Sequence, residues 1–304
     1  MNAAIIGTSK VAFIHLREIL KKKFKKIYIV TRNFKIAKKK INKFKNFKRS
    51  QIILVRMKEL IRLRFSFISI CTPTSLHHRN IFFLNNKKKT TIFVEKPLIS
   101  YLTLQKNFQK IYDKIYNSKL NIAVSYPMYF MASTFLKKFK INVNKIKNIN
   151  IYYHTKGRHQ KLYIAEDLLP HALSFFYRIL IKKIKSLNLI SAKTKVSKNK
   201  WFCKIKFNFV NLNIFFSQNP MYKESKFYFE INRDKYVRKL FYKKNILITS
   251  INYKKYSQIL KNPMTMNLNS VLKMKNSHSF FKNNKKITDF IFLIKKKVLN
   301  NELY

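Results

Sequence analysis

Four short segments of this sequence carry residue types that can bind a phosphorylated ligand or move a proton. GTSK (residues 7–10), CTPTSLHH (71–78) and VEKP (94–97) each follow or end an apolar run, and EDLLPHAL covers residues 166–173. A turn between a strand and a helix can bind phosphate through backbone N–H groups. Lysine, histidine and carboxylate side chains can act as acids and bases. The candidate site residues therefore come mainly from these segments.

The first turn has the position of a dinucleotide-binding turn but only one of the three glycines that such a turn usually contains. Gly7 stands where freedom in φ matters most, whereas Ser9 and Ala12 occupy the second and third glycine positions. Ser9 can cap the following helix, and Ala12 is small enough for close packing of that helix on the sheet. An ordinary strand–helix turn is the alternative interpretation. The candidate cofactor-binding residues of this turn are Gly7, Thr8, Ser9, Lys10 and Val11.

The ends of later strands add further candidates at the same predicted edge. An acidic residue after the second strand would pair with the ribose hydroxyls of NAD, whereas Arg32 suits the 2′-phosphate of NADP. NADP is therefore the predicted cofactor and NAD the alternative, although a solvated arginine in a lysine-rich chain would also account for Arg32. His77 is a further candidate for cofactor binding, although it could instead cap a helix or pack in the core. The remaining candidates of these strand ends are Thr31, Thr72, Pro73 and Thr74.

The elements that position these residues alternate between strand and helix up to about residue 125, with helices predicted over 10–23, 34–47, 56–62, 75–86 and 101–118. Their strands are almost continuously apolar, which is typical of a parallel sheet that is buried on both faces. Residues 1–125 are thus predicted to form a doubly wound, Rossmann-type parallel sheet. Successive strand candidates and helices near 168–183, 263–275 and 286–299 predict an α+β domain with a largely antiparallel open sheet over residues 126–304.

In order and approximate spacing, AIIGTSKVA, ISICTPTSLHH, VEKPL and EDLLPHAL resemble the Gfo/Idh/MocA oxidoreductases, the family of glucose-fructose oxidoreductase and myo-inositol dehydrogenase. The resemblance is clear over residues 3 to about 180, whereas the remaining residues agree with the family only in their pattern of strands and helices. It implies a first domain that binds a nicotinamide dinucleotide and a second domain that presents an open sheet and the substrate pocket. These implications agree with the domains predicted from the pattern.

The resemblance also implies roles for single residues. It makes Lys96 the catalytic lysine, in a turn that relatives commonly build with a cis peptide before proline, and Glu95 a residue that holds the turn or faces the cofactor. Asp167 and His171 match the Asp-x-x-x-His pair of the family, and His171 is expected to share the proton transfer with Lys96. Helix capping is the alternative for Asp167. The pattern itself places Pro170 in the first turn of a helix, so that His171 lies at the N-terminus with a neutral ring.

The net charge of +55 first suggests nucleic-acid binding. Only 11 of the 66 basic residues are arginine, however, and the lysines are spread along the whole chain. The abundant Lys, Asn, Ile, Phe and Tyr share codons that A and T alone can write, so drift in an AT-rich genome accounts for the charge. No specific nucleic-acid partner is predicted.

Cys71 and Cys203 lie far apart and have no metal-ligand spacing, so we predict no metal and a reducing, cytoplasmic location. No apolar run approaches the ~20 residues that a membrane helix needs, so no membrane partner is expected.

The segment SYPMYFMA (125–132) favours a pocket more apolar than that of sugar-processing relatives.

The predicted function is an NAD(P)-dependent oxidoreductase. It transfers a hydride between nicotinamide and a carbonyl or carbinol carbon of a small molecule, sugar-like or more apolar, and we expect a homo-oligomer. The alternatives are an imine reductase on the same scaffold and a catalytically degraded, basic relative that binds anions or nucleic acid.

Overall fold

The structure is a computed structural model that describes residues 1–42, 51–243, 246–274 and 277–300, without the side chains of 242, 243, 246, 247 and 300. The chain divides into two compact units. The first unit comprises Met1–Ser125 and Leu268–Lys285, and the second comprises Tyr126–Asn267 and Lys286–Tyr304. Among the described residues, no helix is both long enough and apolar enough to cross a membrane.

The first unit is built around a six-stranded, fully parallel sheet. Its strand order β3-β2-β1-β4-β5-β6 reverses direction between β1 and β4, as in a doubly wound fold. The predicted Rossmann-type sheet is therefore confirmed. The strands are β1 (Ala3–Ile6), β2 (Ile27–Val30), β3 (Ile52–Val55), β4 (Phe67–Ile70), β5 (Thr91–Val94) and β6 (Asn121–Val124).

Helices cover the apolar faces of this sheet. Every residue of β1, β2, β4 and β5 is buried, which is why these strands show a continuous apolar run instead of alternation. The helices are α1 (Lys10–Leu20), α2 (Phe34–Ile41), α3 (His77–Phe83), α4 (Tyr101–Leu104) and α5 (Phe108–Asn117), and 3-10 turns span Met57–Arg62, Thr74–Leu76 and Gln105–Asn107.

Some predicted helices differ in extent. The helix predicted over 101–118 is interrupted at Gln105, whose φ of 38° is incompatible with a continuous right-handed helix. The segment predicted as helix at 56–62 is a 3-10 turn. Part of the helix predicted over 34–47 lies outside the described residues, and its described part ends at Ile41.

The second unit contains an eight-stranded sheet in the order β14-β13-β12-β11-β7-β10-β9-β8. All neighbours are antiparallel except β7 and β10, so the predicted largely antiparallel sheet is confirmed. The strands are β7 (Asn148–Thr155), β8 (Leu189–Val196), β9 (Lys200–Phe207), β10 (Asn211–Gln218), β11 (Lys226–Ile231), β12 (Asp234–Lys243), β13 (Ile246–Tyr253) and β14 (Tyr256–Leu260).

Two helices, α6 (Pro127–Phe139) and α7 (Leu162–Ile179), pack on one face of this sheet through aromatic side chains. The ring centroids of Phe135 and Phe175 lie 4.9 and 4.6 Å from that of Phe229 on β11. The segment SYPMYFMA, from which a more apolar pocket is predicted, leads into α6, and its Met128 and Met131 are buried. Proline at the first helical position accounts for this start.

The last two helices, α8 (Pro263–Lys273) and α9 (His278–Asn300), divide between the units. Leu268 and Val271 belong to the apolar core of the first unit. The Asn284 side-chain amide donates to the carbonyl of Val124 (3.0 Å), and its oxygen accepts from the Val124 N–H (2.8 Å). The predicted second domain, 126–304, thus differs from the observed unit, because residues 268–285 complete the first.

We predict that Asn284→Ala destabilises the first unit, because it leaves two buried backbone groups of the sheet edge without partners. The expected loss in the free energy of unfolding is about 2 kcal/mol or more. Chemical denaturation measures it, with Asn283→Ala, at an exposed neighbouring position, as the control. Equal effects of the two substitutions would contradict the assignment of residue 284 to this edge.

Candidate active site

A cavity of about 740 Å³ lies at the carboxyl edge of the parallel sheet, where the strand order reverses between β1 and β4. In doubly wound folds this edge is the usual place for a ligand. Seven predicted cofactor-binding residues line it: Gly7, Thr8, Ser9, Thr31, Arg32, Thr72 and Pro73. Lys10, Val11, Thr74, His77, Glu95 and Lys96 are not among the lining residues.

The turn after β1 depends on the close approach of two backbones. Gly7 has φ +114°, and a Cβ atom at this position would lie 2.8 Å from the carbonyl oxygen of Cys71. Residues with side chains rarely adopt such a φ, so glycine is required here for both reasons. The Ser9 hydroxyl donates to the same carbonyl (3.1 Å) and accepts from Ala12 N (3.2 Å), so Ser9 caps α1 as predicted.

Sequence reasoning missed a lysine that supports this turn. The Lys40 ammonium donates to the carbonyl oxygen of Thr8 (2.7 Å) and lies 5.4 Å from the centre of the Phe13 ring. No local motif identifies this lysine among so many, because its position depends on the packing of α2 beside the turn.

Two arginines face the cavity from neighbouring strands. A local network holds the turn that carries Arg32: Asn33 N donates to the Thr31 hydroxyl (3.0 Å), which donates to the Asn33 carbonyl (3.1 Å). Arg56 follows β3, and its backbone N–H donates to the Glu59 carboxylate (2.8 Å). Arg56 was not predicted, although an arginine at the end of a third parallel strand is the same kind of signal as Arg32.

The turn after β4 is held to its neighbours by side chains. Asn80 donates from its amide to the Thr72 hydroxyl (2.9 Å). His77 is buried, and its Nδ1 and Nε2 each lie 2.9 Å from a carbonyl oxygen, of Pro97 and Thr72 respectively. Burial lowers the pKa of His77 despite these carbonyls. His77 therefore joins the β4 and β5 turns, whereas the sequence predicted contact with the cofactor.

The turn after β5 carries the predicted catalytic lysine. The Lys96–Pro97 peptide bond is cis, as the family resemblance implied, and Lys96 is half-buried. The Glu95 carboxylate forms an ion pair with His15 of α1, with 3.0 Å between Oε1 and Nε2. Burial favours the neutral acid, but His15, Ser125 and Lys96 together lower the pKa of Glu95. The turn after β5 thus contains an ionised carboxylate.

In the second unit, Asp167 and His171 lie on α7, four residues apart and hence on one helical face. The His171 ring contacts Tyr153 edge to face at 5.8 Å. The predicted helix start is wrong: α7 begins at Leu162, so Pro170 is inside the helix and His171 is not at its N-terminus. The argument for a neutral ring from the helix dipole therefore fails. Burial of the apolar face of α7 outweighs the backbone hydrogen bond lost at proline.

Gln218, at the end of β10, connects Asp167 to the loop before α7. Its amide donates to Asp167 Oδ2 (3.1 Å), and its oxygen accepts from the backbone N–H of His159 (3.0 Å). A Cβ atom on Gly157 would overlap the Gln218 amide, so the second glycine of the chain provides space for this side chain. Gln218 was not predicted, since the packing of α7 on the sheet brings it to a residue 51 positions away.

Together these features fit a dinucleotide in the first unit. The N-terminus of α1, the side-chain-free approach at Gly7 and the guanidinium groups of Arg32 and Arg56 suit a ligand with several phosphates. Lys96 adds an ammonium group that can exchange a proton. Within the described part of the chain, no group of three or more His, Cys, Asp or Glu side chains could hold a metal ion.

Comparison with known structures agrees with this two-unit architecture. A UDP-N-acetylglucosamine 3-dehydrogenase from Acidithiobacillus ferrooxidans aligns with a TM-score of 0.66 at 12% identity, over 98% of this chain and 96% of that one. A Gfo/Idh/MocA family oxidoreductase from Vibrio cholerae aligns over 100% of both chains, with a TM-score of 0.63 at 11% identity. The 3-ketoreductase KijD10 from Actinomadura kijaniata, in complex with TDP-benzene and NADP, gives 0.62 at 10% identity over 98% of both chains.

A sequence match to a curated protein carries no family assignment. The β subunit of the DNA-directed RNA polymerase of Carsonella ruddii (strain PV) is 30% identical over 185 residues. The match spans 55% of this chain but only 14% of the length of the polymerase subunit.

The family model described as "Oxidoreductase family, NAD-binding Rossmann fold" matches residues 1–117, which contain the Gly7 turn, both cavity arginines and the Lys96 turn. Over this region the chain is similar to the Gfo/Idh/MocA family of NAD-binding oxidoreductases.

Proposed function

We propose that this protein is an oxidoreductase that prefers NADP(H) and transfers a hydride between the nicotinamide and a carbonyl or carbinol carbon of a small molecule. The observation that carries the cofactor preference is the pair of arginines, Arg32 and Arg56, at one cavity that also contains the Gly7 turn. Two guanidinium groups on neighbouring strands suit a 2′-phosphate, whereas a carboxylate would suit the free hydroxyl of NAD.

Lys96 is proposed as the group that moves the proton. Bound nicotinamide would supply the donor or acceptor of the hydride. In the reductive direction, the Lys96 ammonium gives a proton to the substrate oxygen as negative charge develops there, and in the oxidative direction the amine takes the proton back.

Asp167 and His171 are proposed to bind the substrate and to share the proton transfer. A carboxylate can accept hydrogen bonds from substrate hydroxyl groups, and an imidazole can donate or accept a proton near neutral pH. Gln218 supports this role, because its contact with Asp167 fixes one carboxylate oxygen and the orientation of the other.

Nucleotide-linked sugars are the first substrates to test, since two proteins of the same fold carry names or ligands of that chemistry. Cyclic imines belong in the same screen, because reduction of a C=N bond would need the same groups.

Self-association also stays a prediction. The outer face of the second sheet carries a row of half-buried rings, with Tyr152 stacked between Phe215 (4.7 Å) and Tyr228 (4.3 Å), which favours such contact.

The cofactor preference is tested by titrating the protein with NADPH and NADH while cofactor fluorescence is followed. NADPH is expected to bind more tightly, and Arg32→Ala and Arg56→Ala are each expected to weaken NADPH binding about tenfold or more, with little effect on NADH. The reason is the loss of charge-assisted hydrogen bonds, worth about 1.5–3 kcal/mol each.

Arg62→Ala is the matched control, because it removes an equal charge at the end of the 3-10 turn that follows Arg56, at a position that does not line the cavity. The comparison is made at fixed ionic strength, since a chain of net charge +55 attracts any anion. Equal losses of NADH and NADPH affinity in the arginine variants would contradict the preference.

We expect Lys96→Ala to lower kcat by about 10²–10⁴-fold while cofactor affinity stays nearly unchanged, because a proton donor acts in the transition state. Steady-state kinetics and the fluorescence titration measure the two effects. In the double variant with His171→Asn, losses smaller than the product of the single losses would indicate a shared step. Full turnover by Lys96→Ala would remove this residue from the mechanism.

Gln218→Leu is expected to lower kcat/KM about tenfold or more and to leave cofactor binding unchanged, because it frees the Asp167 carboxylate without changing the first unit. Gly157→Ala should have the same effect, since its methyl group would displace the Gln218 amide. The control is Gln160→Leu, an exposed glutamine of the same loop. If all three variants behave alike, the loop and not the carboxylate contact is responsible.

A further inference from the structure

A buried polar cluster lies behind the turn that carries Lys96. His15 of α1 is 1% exposed, and both of its ring nitrogens have partners. Nε2 lies 3.0 Å from the Glu95 carboxylate, and Nδ1 lies 2.7 Å from the Ser69 hydroxyl of β4. The Cys71 sulfur is 3.3 Å from Nδ1 and 3.4 Å from the Ser69 oxygen. Four side chains from α1 and from the β4 and β5 regions thus meet inside the first unit.

The partners of this imidazole fit its protonated form. With both ring nitrogens protonated, Nε2 forms an ion pair with a carboxylate oxygen 3.0 Å away, and Nδ1–H donates to the Ser69 hydroxyl, which in turn can donate to the Cys71 sulfur. The ring also stacks on Phe93, with centroids 5.3 Å apart and planes at 25°, and an aromatic face attracts a cation. A neutral imidazole would leave the Glu95 carboxylate, only 12% exposed, without the cation that lies against it.

The ionisable groups that act on His15 agree with this assignment. Burial lowers the pKa of His15, but Cys71 and Glu95 outweigh burial and raise this pKa to about 10. Phe93 of the apolar core stacks on the ring, and the Ser69 hydroxyl contacts its Nδ1. Lys96 acts on the cluster through Glu95, whose pKa it helps to lower.

We propose that His15 is a positioning residue: as a buried imidazolium it keeps Glu95 ionised and fixes the carboxylate beside Lys96. The proposal rests on the proposed function, because Lys96 is the proton donor only there. It adds a residue 81 positions before Lys96 that touches neither substrate nor cofactor and acts through Glu95. The histidine thereby connects the helix that begins at the cofactor turn to the turn that carries the lysine.

The first test is the charge of His15 in the wild-type protein. In ¹H–¹⁵N spectra of protein labelled at histidine nitrogen, His15 is expected to show two protonated ring nitrogens through pH 8. His78, whose pKa burial and the neighbouring Arg79 lower, serves as a neutral reference in the same sample. A His15 ring that titrates near its ordinary pKa of 6.5 would overturn the proposal, whether or not the protein is an enzyme.

The second test separates a positioning role from a merely structural one. In His15→Gln, Glu95 loses its counter-charge, so burial should raise the pKa of this carboxyl. The pH profile of kcat should then show an additional ionisation that the wild type lacks, with kcat at neutral pH lowered tenfold or more and NADPH affinity within threefold. The double variant His15→Gln with Glu95→Gln has no carboxyl to titrate, so the additional ionisation should vanish.

His278→Gln, at an exposed position of α9, controls for the loss of a histidine and should leave the profile unchanged. A His15→Gln profile with the shape of the wild type would overturn the proposal. If His15→Gln does not fold, the spectrum of the wild type still decides the charge state. Absence of turnover in the wild type with every substrate would instead contradict the proposed function and leave the result of the first test standing.

Discussion

A contact between two backbones sets the position of the whole cofactor site. The turn at Gly7 comes so close to the carbonyl of Cys71 that no Cβ atom fits between them, and the register that pairs Ile6 with Ile70 fixes this approach. Because all strands of the sheet are parallel, their carboxyl ends meet at one edge. The residues that follow β2, β3 and β4 therefore reach one cavity, although they are far apart in the sequence.

Charged side chains stabilise turns and helices throughout the described part of a chain with few acids and only two glycines. Lysine ammonium groups donate to backbone carbonyls: Lys40 supports the first turn, and Lys87 donates to the carbonyls of Ile61 and Leu63 at 2.7 and 2.8 Å. Several of the scarce carboxylates have fixed partners in the interior. Glu166 of α7, for example, forms a buried ion pair with Lys295 of α9 at 2.6 Å. In so basic a chain, the position of an acidic residue is therefore a better indicator of a specific interaction than the position of a lysine.

The sequence predicted what depends on local pattern and missed what depends on tertiary contact. Apolar runs identified the strands of the first unit, and the residue types in the turns after them identified seven of the residues that line its cavity. Pro170 misled the prediction because local rules favour proline at a helix start, whereas the buried face of α7 extends to Ile164 before it. Gln218 and His15 gave no signal of their own, since the packing of α7 and α1 on the two sheets brings Gln218 to Asp167 and His15 to Glu95. Arg56 was within reach of the same reasoning that selected Arg32.

A buried ion pair contributes little to stability by itself, because the cost of removing two charges from water offsets most of their attraction. Apolar side chains of similar size would fill the space between α1, β4 and β5 at least as well. What they could not supply is a fixed carboxylate at the end of β5. His15 holds that group from inside the sheet, so the orientation of the carboxylate depends on the rigid core and not on the exposed turn. The imidazolium is therefore better explained by the placement of Lys96 than by the stability of the fold.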